Sequence, residues 1–204
     1  MDSEHVVFVV DDDPAVRDAL AVLLSFEGFI VREFADGESF LDVAKQETPS
    51  CVILDIHMPG RSGIEILGAL NADHYPAPIF IISGQGDIPL AVNAIKNGAF
   101  DFFEKPFNAE NIVQRVREAI EASERRRTTD TTTPAAHFAG QDLLTPRERE
   151  VLRQIAAGSS NKEAGRSLGI SPRTIEVHRA RIMEKLGAKN AADLVRIVLT
   201  GELH

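Results

Sequence analysis

Residues 6–16 read VVFVVDDDPAV: five apolar residues run without a break into three aspartates. A strand with one wet face alternates apolar and polar residues. A continuous apolar run of this length is a strand covered on both faces, as in a parallel sheet flanked by helices. The Asp13-Pro14 step then opens a helix, with Asp13 as the cap and Pro14 at the first helical position. A second stretch, CVILDIHMPG at 51–60, has the same form, an apolar run ending in Asp55. In open parallel sheets ligands are met at the carboxyl ends of the strands. The charge that ends both runs therefore marks a working edge.

The pattern continues around these two stretches. Apolar runs recur at 6–10, 29–34, 51–54, 78–82 and 99–103. Between them lie segments with helical spacing at 14–27, 38–47, 64–73, 87–97 and 109–126. Strand then helix, five times over, predicts a doubly wound α/β domain with a five-stranded parallel sheet. Asp11 and Asp12 leave the first strand, Asp55 the third, Ser83-Gly84 the fourth, and Lys105-Pro106 follows the fifth. Segments far apart in sequence thus deliver polar groups to one edge.

The residue types there suggest a chemistry. Three clustered carboxylates repel one another and favour a cation. Oxygen ligands without a His/Cys cluster point to Mg²⁺ rather than zinc. A lysine and a small hydroxyl beside such a metal suit an anion, with phosphate the obvious candidate. Carboxylates serve as nucleophiles in phosphoryl transfer, and Asp55, opposite the Asp11/Asp12 pair, is best placed to do so. The metal would screen an incoming phosphate, and Lys105 would compensate the added charge.

Composition sets the boundaries. The chain has 204 residues, 44% of them apolar and 26% charged, which allows packed cores. Its single cysteine, Cys51, lies within an apolar run and reads as packing; no disulfide framework is possible, which fits a reducing compartment. The start MDSEH lacks the basic character of a signal peptide, and no run approaches a membrane span. A cytoplasmic protein with no membrane partner is expected. Residues 1–141 hold 11 basic and 23 acidic residues, a net of −12, whereas 142–204 hold 11 and 8, a net of +3. Two domains with different partners follow, 1–124 and 142–204, joined by a Thr/Ala-rich linker at 125–141. The RRR at 125–127 reads as the solvated end of the preceding helix.

The second domain reads as all helix. Thr145-Pro146-Arg147-Glu148 is a capping box. A short helix follows, capped by Asn161 and stopped at Gly169. A third runs over 172–186 and stops at Gly187, and a fourth covers about 190–199. Short helix, tight turn and longer helix make a helix-turn-helix. On the third helix Ile175, Ile182 and Leu186 share the core face, with His178 beside them as a packing residue. The opposite face offers Arg173, Glu176, Val177, Ala180, Arg181 and Glu184 to a major groove. Arg173 and Arg181 suit phosphates, Thr174 a hydroxyl contact, Glu176 a cytosine amino group and Val177 a thymine methyl.

Four motifs in order, VVDDDPAVR, ILDIHMPGRSG, SG at 83–84 and EKPF at 104–107, resemble the receiver domain of two-component response regulators over roughly 4–124. The resemblance implies a flavodoxin-like strand order 2-1-3-4-5 and phosphorylation of Asp55 by a sensor histidine kinase. It implies Mg²⁺ held by Asp11, Asp12, Asp55 and the backbone carbonyl of His57. Ser83 and Lys105 would contact the phosphoryl group, and Phe102 would be the aromatic switch that moves with Ser83. It also implies dimerisation on phosphorylation through the fourth receiver helix, around Val92 and Lys96. The segment from LTPREREVL to KNAADLV resembles the LuxR/NarL type of DNA-binding domain, which implies double-stranded DNA and RNA polymerase as partners. Ala164 and Gly165 depart from that pattern, which has a larger aliphatic followed by alanine. Glycine inside a helix costs about 1 kcal/mol relative to alanine, so a softer helix is expected. The combination, with SPRTIEVHRARIMEKLGA, is most similar to regulators of the FixJ type. That implies activation of nitrogen-fixation genes at low oxygen under a FixL-like kinase.

Two other functions use the same residues. An Mg²⁺-dependent aspartyl phosphatase is one, but such enzymes commonly place a carboxylate two residues after the nucleophile, where this chain has His57. A regulator with a degenerate receiver is the other, and the full set Asp11, Asp12, Asp55, Ser83 and Lys105 argues against it. The polar linker suits regulation by docking of the acidic part on the basic part, or by dimerisation, rather than by a rigid rod.

Overall fold

A computed structural model describes residues 5–84, 88–129 and 140–200. The chain divides into two compact units after Ser123. In the first, strands β1 (Val6–Val10), β2 (Ile30–Phe34), β3 (Cys51–Asp55), β4 (Ile79–Ser83) and β5 (Asp101–Glu104) alternate with helices α1 (Pro14–Phe26), α2 (Gly37–Ala44), α3 (Gly63–Leu70), α4 (Ile88–Lys96) and α5 (Ala109–Thr129). All neighbouring strands are parallel, in the order β2-β1-β3-β4-β5. This is the flavodoxin-like order.

The apolar runs behave as their composition demands. β3 and β4 are buried throughout, and β1 is buried from Val7 to Val10. Each fully buried aliphatic side chain there contributes roughly 1.5–3 kcal/mol relative to exposure. β2 differs: at the sheet edge only Phe34 is buried, and it joins Phe8 and Phe40 in an edge-to-face cluster. Asp13 caps α1 as expected, accepting from the Ala15 amide with Pro14 next to it. α3 stops at Leu70, three residues short of the expected end. Asn71 adopts a left-handed conformation there, which satisfies the last carbonyls, and a 3-10 turn, Ala72–His74, follows. The expected start of the fourth helix at 87 lies outside the described residues, as does 130–139 of the linker. α5 runs five residues past 124, so residues 125–129 are helical.

The second unit holds α6 (Pro146–Ala156), α7 (Asn161–Leu168), α8 (Pro172–Leu186) and α9 (Ala191–Thr200). The Thr145/Glu148 capping box is present. At α7 the cap is Ser160 rather than Asn161: its hydroxyl accepts from the Glu163 amide, and Glu163 reaches back to the Ser160 amide. Glu163, three residues on, signals this reciprocal pair in the sequence. Val151, Leu152, Ile155, Ile175, Ile182, Leu186, Leu194 and Ile197 form the core.

Candidate functional site

Parallel register brings the strand ends together. Asp55 pairs with Ile82, and Ser83 with Glu104, so the residues that follow emerge along one edge. The Lys105 amide donates to the Ser83 carbonyl at 2.8 Å, which carries the ladder one step past β5. After β3 the chain turns back tightly, and the Gly63 amide donates to the Ile56 carbonyl. A Cβ at Gly63 would lie 2.7 Å from the Asp55 carbonyl oxygen. Only glycine permits this approach, which packs the start of α3 against the Asp55 peptide.

Asp11 and Asp55 are buried and Asp12 is exposed, and each offers an oxygen within 4.8 Å of the others. Lys105 Nζ lies 2.8 Å from Asp55 Oδ1 and 3.1 Å from Asp11 Oδ2. Asp55 Oδ2 accepts from the His57 amide at 2.7 Å, and Asp11 Oδ1 from the Asp13 amide at 2.9 Å. Burial raises the Asp11 pKa and the Asp55 charge adds to this, against the Asp13 amide and Lys105, which lower it. Burial works against the Lys105 charge, but Asp55 and Asp11 outweigh it and hold the ammonium above its usual range. Ser83 is buried at the same edge. The donor set is all oxygen, three carboxylates deep, and fits a hard divalent cation such as Mg²⁺.

Phe102 is half-exposed on the edge strand β5. Its carbonyl accepts from Arg115 Nη1 of α5 at 3.0 Å. Arg115 also pairs with buried Asp101 and lies over the Phe103 ring. The expected dimer residues are accessible on α4, Val92 in part and Lys96 exposed.

On α8 Arg173, Glu176 and Ala180 are exposed and Val177 partly so. Two expected contacts are not presented in that way. Thr174 is completely buried, and its hydroxyl shares a 2.8 Å hydrogen bond with Ser171, as part of the helix cap. Arg181 is turned to Glu148 of α6, 3.3 Å away, where Lys185 also pairs at 2.7 Å. Glu148 is fully buried, so both cations are committed to compensating its charge. His178 is buried as expected, and neither ring nitrogen has a hydrogen-bond partner among the described residues.

Comparison with known proteins adds what geometry alone does not. Residues 7–117 match the response regulator receiver domain, and residues 142–198 match the luxR family of bacterial regulatory proteins. The transcriptional regulatory protein FixJ of Bradyrhizobium diazoefficiens is 42% identical, covering 98% of this chain and 97% of that protein. The chain belongs to the two-component response regulators with a LuxR-type DNA-binding domain. Its relatives include the C4-dicarboxylate transport transcriptional regulatory protein DctR of Rhodobacter capsulatus, 40% identical over 94% of this chain and 98% of that one. Crystallised full-length FixJ from B. japonicum superposes with a TM-score of 0.58 at 40% identity, covering 98% of both chains.

In this response regulator three features escaped the sequence reading. Arg17 grips the acidic loop, Arg115 grips the strand of Phe102, and Glu148 anchors α8. Arg17 and Arg115 resemble ordinary surface groups until their partners are known, and Glu148 was legible as a capping-box residue but not as the partner of Arg181 and Lys185. Gly165 is the fourth surprise. A Cβ there would lie 2.6 Å from the Ile170 carbonyl oxygen, so the glycine allows the tight α7–α8 turn. Propensity alone favours Gly165→Ala by about 1 kcal/mol. The clash is with backbone, so the substitution is expected instead to destabilise the DNA-binding domain by about 1–3 kcal/mol. Urea unfolding of the two proteins checks the sign.

Proposed function

We propose that this response regulator accepts a phosphoryl group on Asp55 from a FixL-like sensor histidine kinase in the cytoplasm. The phosphorylated chain then dimerises, binds promoter DNA and, with RNA polymerase, activates transcription. An Asp55 oxygen attacks phosphorus as the bond to the donor histidine nitrogen breaks, and that nitrogen takes up a proton. Asp11, Asp12, Asp55 and the His57 carbonyl would hold Mg²⁺, which when bound screens the charge of the phosphoryl oxygens. Lys105 would turn from Asp55 to the new phosphoryl oxygens, and Ser83 would donate to them. Phe102 would follow Ser83 and reshape the α4 face around Val92 and Lys96. Arg173, Glu176, Val177 and Ala180 would meet the major groove. Arg181, held on Glu148, would position the helix more than contact DNA.

One observation carries the reading: a buried carboxylate at a strand end, hydrogen-bonded by a backbone amide and a lysine, with two more carboxylates in reach. The target genes proposed are those of nitrogen fixation, on the FixJ likeness, although the DctR name shows that close relatives serve other genes. The full-length protein is expected to take covalent label from a small phosphodonor only with Mg²⁺. Sedimentation should then show a monomer–dimer equilibrium shifted to dimer, and DNA affinity should rise. Turnover of external phosphoesters without a labelled protein would point to a phosphatase. No label at all would leave a phosphorylation-independent regulator.

A further inference from the structure

We propose that Arg17 is a positioning residue for the cation site, aiming the Asp12 carboxylate by holding the backbone of the Asp11–Asp12 loop. The inference rests on reading Asp11, Asp12 and Asp55 as the cation ligands. These three carboxylates are not equally secured. Asp55 is held by the His57 amide and Lys105, and Asp11 by the Asp13 amide and Lys105. Asp12 is exposed and has neither support. Its hold comes through its peptide group: Arg17 Nη1 donates to the Asp12 carbonyl at 3.0 Å and to the Asp11 carbonyl at 2.6 Å.

Arg17 lies on α1, the helix that the acidic loop itself opens, and its side chain folds back over that loop. On its other side Nε is 4.0 Å from the Glu33 carboxylate of β2. The guanidinium therefore lies between the edge strand and two consecutive carbonyls, and its hydrogen bonds go to the carbonyls. One Nη carries two N–H groups, enough to serve both carbonyls at once. Two held peptide planes restrain the Asp12 backbone and so set the direction of its Cα–Cβ bond. The Asp12 Cβ is then aimed at the site before any cation arrives, and only side-chain rotation is left for the cation to settle. A lysine would keep the charge, but its ammonium lacks the rigid planar fork that spans both carbonyls.

The test uses the full-length chain and Mn²⁺ as the probe, with free Mn²⁺ followed by electron paramagnetic resonance in the absence of any phosphodonor. Thermal unfolding of each metal-free protein supplies the folded fraction. Arg17→Met is expected to bind Mn²⁺ about tenfold more weakly per folded molecule, as losses of outer partners of metal ligands typically do. Arg17→Lys is expected to recover only a small part of that loss. Unchanged affinity in Arg17→Met, with or without a lower melting point, overturns the proposal and leaves Arg17 a structural residue. Full recovery in Arg17→Lys also overturns it, because charge rather than aim would then be what matters. If the wild-type chain binds no Mn²⁺, the cation reading itself falls, a result distinct from either of these.

Discussion

Asp55→Asn is expected to reduce covalent labelling by a phosphodonor to background and to abolish phosphorylation-dependent gain in DNA affinity. The amide keeps the shape of the carboxylate and can still accept from the His57 amide, which is 2.7 Å from Asp55 Oδ2. What it lacks is the nucleophilic oxygen. Folding should survive, because one of three mutually repelling carboxylates is neutralised and Lys105 retains Asp11 at 3.1 Å. A melting temperature equal to or above that of the wild type, together with absent label, is the expected pair of results. Retained Mg²⁺-dependent label would place the phosphoacceptor elsewhere.

Acid is expected to undo the DNA-binding domain through His178. Burial, with the charges of Arg147, Arg181 and Lys185 adding to it, lowers the His178 pKa from 6.5 to about 3. The folded state therefore keeps the ring neutral where the unfolded chain takes up a proton. The His178 contribution is constant above pH 6.5 and declines below it, until the folded pKa is reached. The slope is about 1.4 kcal/mol per pH unit, or about 3 kcal/mol lost by pH 4.5. That is a large part of the stability of about 3–9 kcal/mol expected of a domain this small. Glu148 and Glu150 are paired with the same three cations, so the decisive quantity is a difference between proteins. In His178→Leu the stability lost between pH 7.5 and 4.5, from urea unfolding of the C-terminal unit, should be smaller by about 3 kcal/mol. Equal losses in both would mean that His178 is not held neutral by the fold.

The parts of the molecule that the sequence discloses are those whose signals are local. A run such as Val6–Val10 or Cys51–Asp55 names its own environment, because only a strand covered on both faces tolerates it. The shared edge follows from parallel chain direction, which is why Asp11, Asp55, Ser83 and Lys105 fall together; the strand order itself was implied only by the resemblance to receiver domains. β2 was less legible: Arg32 and Glu33 show that it has a wet side, and the structure puts it at the sheet edge. α8 was legible as a helix but not side chain by side chain. A helical wheel sorts residues by angle without knowing what the neighbouring helix offers. Glu148, buried on α6, draws Arg181 and Lys185 across, and Ser171 draws in the Thr174 hydroxyl. Arg17 was invisible for the same reason, since its partners are backbone carbonyls and carry no sequence signature.

Cys51 sits at the head of the strand that ends in Asp55, fully buried, and burial pushes its thiol well above the usual range. Oxidation and alkylation both proceed through the thiolate and both require access. The lone native thiol is therefore silent towards peroxide and maleimides for as long as the sheet stays closed. A cysteine introduced at an exposed position such as Lys96 or Ala180 would be the one reactive thiol in the folded chain. Spectroscopic labels could thus be attached to α4, the proposed dimer face, or to α8 without first removing a residue from the core.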